Sequence, residues 1–82
     1  MKRVKLYRID PDHSDPQVLA ATFFFRNGRV VGTGDAKLVR HVLNEKYVLG
    51  GKAISAKSDK EEFLRRMCQI FDGMVLRASR YE

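Results

Sequence analysis

The chain has 82 residues, of which 44% are hydrophobic and 32% are charged, and its Lys and Arg exceed its Asp and Glu by a net charge of +6. This composition is ordinary for a globular domain and argues against an intrinsically disordered chain. No apolar run reaches the roughly 18 to 20 residues of a transmembrane helix, and the basic start lacks the apolar segment of a signal peptide. We therefore predict one small α+β domain over residues 1–82, cytoplasmic and without membrane contact.

The first predicted element is a strand over residues 2–9, where apolar and charged side chains alternate. Val4 and Leu6 point to one side, and Arg3, Lys5 and Tyr7 point to the other. Residues 10–16, with the sequence DPDHSDP, follow as a connecting loop because two prolines forbid regular strand pairing.

A β-hairpin over residues 18–34 is the strongest local pattern in the sequence. Asn27 and Gly28 suit a two-residue type I′ turn, which places Arg26 opposite Arg29 and Phe24 opposite Val31. One predicted face then carries Leu19, Ala21, Phe23, Phe25 and Val30, and the other carries Thr22, Phe24, Arg26, Arg29 and Val31.

Two helices and a last strand complete the predicted elements. Asp35 or Thr33 can cap a helix that begins near residue 36, and Ser58 with Glu61 matches a capping box for a second helix. Gly50 and Gly51 either end the first helix or turn a short hairpin, so the sequence leaves open whether residues 47–57 form a strand. Residues 74–81 alternate again, with Met74, Leu76 and Ala78 on one side and Val75, Arg77, Ser79 and Tyr81 on the other.

The element order β-β-β-α-(β)-α-β predicts an α+β fold, a two-layer sandwich. Its sheet is mainly antiparallel with four to five strands, and both helices cover one face. The apolar sides of the strands are expected to face the helices.

The opposite sheet face carries the predicted binding residues, which combine cations and aromatic rings without a carboxylate: Arg3, Lys5, Tyr7, Phe24, Arg26, Arg29, Arg77 and Tyr81. RNA or single-stranded DNA needs such a surface, because bases stack on rings and phosphates meet cations. The alternative is a homodimer or accessory protein-interaction domain that buries Phe24 and Val31 on the same face.

Other chemistry is weakly indicated, and we predict a binding protein rather than an enzyme, with no catalytic residue, metal or cofactor. The GTGD turn at 32–35 lacks the spacing of a phosphate loop, and the acidic loop at 10–15 lacks the glycine of a calcium loop. Cys68, the single cysteine, is expected to pack beside the core. A small ribonuclease-like enzyme that uses His41 is the minor alternative.

Overall fold

The computed structural model describes residues 2–10, 12, 17–73 and 75–82 and shows an α+β fold with the predicted order of elements. Within those residues there are six strands and three helices. They are β1 (Arg3–Ile9), β2 (Gln17–Arg26), β3 (Arg29–Gly34), α1 (Ala36–Asn44), β4 (Lys46–Leu49), β5 (Lys52–Ser55), α2 (Ala56–Asp59), α3 (Glu61–Ile70) and β6 (Leu76–Ala78).

Four of these strands form one antiparallel sheet in the order β3-β2-β1-β6. Its inner face, which packs against α1 and α3, carries the predicted side chains Val4, Leu6 and Phe23, none of which is exposed. Phe63, Leu64 and Met67 of α3 are equally buried against them. Burial of each such side chain stabilises the fold by about 1.5 to 3 kcal/mol. Met74, also predicted for this face, lies outside the described residues.

Helix α1 begins at the predicted cap and lies very close to the sheet. The Asp35 carboxylate accepts hydrogen bonds from the backbone amides of Lys37 and Leu38, which satisfies donors that the first helical turn leaves free. A Cβ on Gly32 would lie 2.7 Å from Phe23 Cε1 and 2.7 Å from Val39 Cγ1. Glycine at this position is therefore what lets the helix approach β3.

Residues 46–55 form a hairpin of their own rather than a fifth strand of the main sheet. Gly50 and Gly51 have φ values of 60° and 81°, which suit a type I′ turn, so the hairpin alternative is confirmed. Tyr47 anchors the hairpin, because its ring lies 6.0 Å from that of Phe63 and 5.1 Å from that of Phe71.

The predicted capping box at Ser58 is wrong, because Ser58 lies inside α2. Ser55 caps that helix instead: its hydroxyl accepts from the Ser58 amide, and the Asp59 carboxylate accepts from the Ser55 amide. Lys60 then interrupts the helical path with φ 55° and ψ −121°, and α3 starts after it. The buried stripe of α3 and its Glu61–Arg65 and Glu62–Arg66 ion pairs are confirmed.

A β-bulge in β2 changes which residues share a face. Leu6 pairs with Ala21, but Tyr7 pairs with Leu19, so Ala20 is one extra residue in β2. Ala20 and Ala21 are both buried, whereas Leu19 is 53% exposed beside Tyr7. The prediction that Leu19 belongs to the inner face is therefore wrong.

The longest helix in the described segments has ten residues, and none there could span a membrane.

Candidate nucleic-acid interface

The outer face is the side of the four-stranded sheet opposite the helices. The β2–β3 turn sets its register, because Asn27 and Gly28 adopt φ values of 51° and 76° and so place Arg26 opposite Arg29 as predicted. Across β1 and β2, Arg3 lies opposite Phe24 and Lys5 lies opposite Thr22. The same pairing continues to β6, where Arg77 lies opposite Tyr7. One surface thus brings together seven of the eight predicted binding residues.

The five cations that were predicted for the outer face are exposed: Arg3, Lys5, Arg26, Arg29 and Arg77. Within the described part of the chain none of them forms a salt bridge. By contrast, Arg8 on the helix side lies 2.9 Å from Asp35 Oδ2, and Arg66 lies 3.0 Å from Glu62 Oε1. The outer face therefore carries five cations that form no salt bridge with a described carboxylate.

Two aromatic rings lie among these cations. Phe24 and Tyr7 are partly exposed, and neither packs against the buried core cluster. Phe24 stands between Arg3 on β1 and Val31 on β3, so its ring has a cationic neighbour on one side and an aliphatic neighbour on the other. A ring that is accessible in this way offers a face on which a flat group can stack.

Tyr81 does not lie on the outer face, so its predicted position is wrong. Ala78 pairs with Leu6, but the backbone amide of Arg3 donates to the carbonyl of Glu82, so the last segment contains one extra residue before position 82. Tyr81 is turned toward the helices as a result, and its hydroxyl donates a hydrogen bond of 3.0 Å to Glu61 Oε2. Burial, together with this contact to Glu61, raises the pKa of Tyr81.

The extra residue before position 82 also brings a carboxylate to the outer face, although the sequence predicted no carboxylate on that face. Glu82 lies opposite Arg3, and both line a shallow depression of about 410 Å³ together with Lys5, Tyr7, Ser79 and Arg80. Ser79 also accepts a hydrogen bond of 2.8 Å from the Lys5 amide. Ser79 and Arg80 were not predicted as site residues, because only the irregular end of the sheet brings them beside β1.

The end of the outer face near the bulge is apolar. Leu19 lies opposite Tyr7, and the carbonyl of Val75 accepts a hydrogen bond of 2.9 Å from the Ile9 amide. Val75 is 70% exposed and Leu19 is 53% exposed. The outer face therefore has a basic end at the β2–β3 turn and an apolar end at the start of β2.

The other residues considered from the sequence, His41, Asp35 and Cys68, do not belong to the outer face. The His41 side chain is 62% exposed on α1, and its Nδ1 lies 3.8 Å from Glu45 Oε1. Asp35 is occupied by helix capping and by Arg8, and the hydrogen bond from Arg8, followed by that from the Leu38 amide, lowers its pKa. Cys68 is half-buried on α3.

The described residues contain no cluster of His, Cys, Asp or Glu able to hold a metal ion. Most of the predicted connecting loop, residues 11 and 13–16, lies outside them. The Asp12 amide donates a hydrogen bond of 3.0 Å to Asp10 Oδ1, which is an Asx turn of the kind expected in a connecting loop.

No protein-family model matches this chain, and no curated protein or solved structure is significantly similar to it. A function for the outer face has to be argued from its geometry and charge.

Proposed function

We propose that the outer face binds single-stranded nucleic acid, RNA or DNA, without catalysis. The observation that carries the proposal is the group of five exposed, unpaired cations around the accessible rings of Phe24 and Tyr7. Affinity for nucleic acid comes largely from such cations, and tolerance of sequence comes from rings on which any base can stack.

The β2–β3 turn is the proposed phosphate-binding end. Arg26 and Arg29 are directly opposite each other, and like charges in that position destabilise a hairpin. A phosphate bound between the two guanidinium groups removes this repulsion and can accept hydrogen bonds from both. Lys5 and Arg77 extend the line of positive charge across β1 to β6.

The two rings are spaced to hold separate bases. Tyr7 is four residues beyond Arg3, the partner of Phe24, so the rings lie about 13 Å apart along the strands and about 5 Å apart across them. Lys5 occupies the row between them, where a phosphate that joins two stacked nucleotides would lie. Phe24 and Tyr7 therefore act as stacking platforms, and Lys5 binds the connecting backbone.

A second candidate function is self-association through the same face. The exposed Leu19 and Val75 beside Tyr7 favour it, because a second copy that covers this end would bury apolar area. Such a dimer would involve the apolar end more than the arginines of the β2–β3 turn. The two functions therefore differ in their dependence on salt.

A salt titration with matched variants tests the proposal. Fluorescence anisotropy of a labelled single-stranded 12-mer, and sizing of the protein alone, are measured between 50 and 200 mM salt. One phosphate shared by Arg26 and Arg29, with one each at Lys5 and Arg77, makes three neutralised phosphates, and on a single strand these predict a decrease in affinity of about 18-fold over this range. The double variant Arg26→Glu/Arg29→Glu should abolish binding. The control Lys46→Glu/Lys52→Glu makes the same change in net charge on the β4–β5 hairpin and should keep most of the affinity.

Two results would contradict nucleic-acid binding. One is an affinity that salt leaves unchanged, and the other is an equal loss in both double variants. A dimer whose dissociation depends on Leu19→Ser but hardly on salt would instead support self-association.

A further inference from the structure

A second basic surface, the edge groove, lies beside the β2–β3 turn on the helix side of the sheet. It is a cavity of about 360 Å³ where the edge strand β3 meets α1 and α2, and its walls are formed by Arg29, Val30, Leu43, Ala56, Lys57 and Lys60. This volume is in the lower part of the range for pockets that bind small molecules.

The edge groove has an apolar floor and a cationic rim. Val30 and Ala56 are buried and Leu43 is partly buried, so the floor is aliphatic. Arg29, Lys57 and Lys60 are exposed, and none is in a salt bridge within the described part of the chain. No described carboxylate lines the cavity. The groove therefore suits a ligand that is anionic at one end and has an apolar surface at the other.

Positive charge continues beyond this cavity. An adjoining depression of about 470 Å³ shares Leu43 and Lys57 with the edge groove and adds Arg40 of α1. No described carboxylate lines this depression either. An anion that approaches β3 from this side meets four cations from three elements, which strengthens the local attraction.

Lys60 occupies a backbone conformation that favours glycine. Its φ of 55° and ψ of −121° match the first central position of a type II′ turn. A side chain in this region costs stability, and such costs are concentrated at functional sites. The Lys60 ammonium has only donors, so it cannot cap the free amides of the first turn of α3, and no capping hydrogen bond forms there.

We propose that the edge groove binds a nucleoside monophosphate, a function separate from the proposed binding of a nucleic-acid strand. The flat base rests on Val30, Leu43 and Ala56, and the phosphate lies among the cations. Arg29 supplies planar, paired donors, and the two lysines act as mobile point charges. Only Arg29 is shared with the outer face, so the lysines can be changed without altering that surface.

Calorimetric titration with AMP, adenosine and inorganic phosphate tests the proposal. AMP should show saturable binding. Adenosine, which would contact only the floor, and inorganic phosphate, which would contact only the rim, should each bind at least tenfold more weakly. The double variant Lys57→Gln/Lys60→Gln should weaken AMP at least tenfold. The control Lys46→Gln/Lys52→Gln removes two lysines elsewhere and should change it less than twofold.

The two proposals can fail separately. AMP that does not bind, that binds no better than phosphate, or that is unaffected by Lys57→Gln/Lys60→Gln would overturn the edge-groove proposal, even if the labelled 12-mer still binds. Saturable AMP binding to a protein that ignores the 12-mer would instead overturn only the proposal for the outer face. Circular dichroism of each variant confirms that it is folded before either titration is interpreted.

Discussion

Replacing Lys60 with glycine should stabilise this protein, although the substitution removes a side chain. The φ of 55° and ψ of −121° at Lys60 cost a non-glycine residue about 1 to 3 kcal/mol. Glycine adopts this conformation freely. Relative to alanine, however, it increases the conformational entropy of the unfolded chain, which lowers the free energy of unfolding by about 0.4 to 1 kcal/mol. The expected net gain is about 1 kcal/mol, which corresponds to a rise in Tm of about 4 to 8 °C for a chain of this size.

Two controls separate the backbone from the side chain. Lys60→Ala removes the same charge but keeps a Cβ in the strained conformation, so it should leave the free energy of unfolding within about 0.5 kcal/mol of the parent. Lys57→Gly, inside α2, should destabilise by up to about 1 kcal/mol because glycine disfavours helix. Urea denaturation monitored by circular dichroism gives all three values. If Lys60→Gly were no more stable than Lys60→Ala, the argument from backbone strain would be refuted.

Three further predictions concern the fold. Gly32→Ala should destabilise by about 1 to 3 kcal/mol, because its Cβ would lie 2.7 Å from atoms of Phe23 and Val39; an unchanged urea midpoint would contradict this close approach. The pKa of Asp35 is lowered from its ordinary 3.8, so the stabilisation it gives is complete above that pH and is lost as the pH falls below it. Asp35→Asn keeps a capping acceptor but does not titrate, so the free energy of unfolding should fall less between pH 6 and pH 2 than in the parent, as measured by urea denaturation at each pH. Tyr47→Phe removes a buried hydroxyl that has no hydrogen-bond partner in the described chain and should raise the free energy of unfolding by up to about 1 kcal/mol, whereas a loss would reveal a partner such as an ordered water.

Local chemistry made the hairpin and the helices predictable from the sequence. Asn27 and Gly28 determine the turn, and once the turn is known every pair from Arg26–Arg29 back to Phe23–Gly32 follows by counting. The stripe of α3 was equally clear because its apolar residues keep helical spacing. This part of the outer face is therefore predictable from the sequence alone.

The errors come from single extra residues and from distant contacts. Bulges move Leu19 outward and Tyr81 inward, and nothing in the side-chain pattern distinguishes a bulged strand from a regular one. Ser58 was predicted as the cap because Glu61 follows it at capping-box spacing, whereas the acidic partner of Ser55 is Asp59, one residue further on than that motif requires. The break at Lys60, which separates α2 from α3, is not marked in the sequence. The edge groove is not predictable from the sequence, since its walls come from three elements, β3, α1 and α2, whose packing against one another no local pattern shows.

The bulge at Ala20 also determines which kinds of change β2 can accept. The Ala20 carbonyl receives a hydrogen bond of 2.9 Å from the Asp35 amide, so the extra residue is joined to the start of α1. Deletion of Ala20 would exchange the inward and outward sides of residues 17–19 and remove this hydrogen bond. A substitution of Val18 or Leu19 would leave both the register and the hydrogen bond intact. In this part of the strand, the number of residues is more strictly constrained than their chemical type.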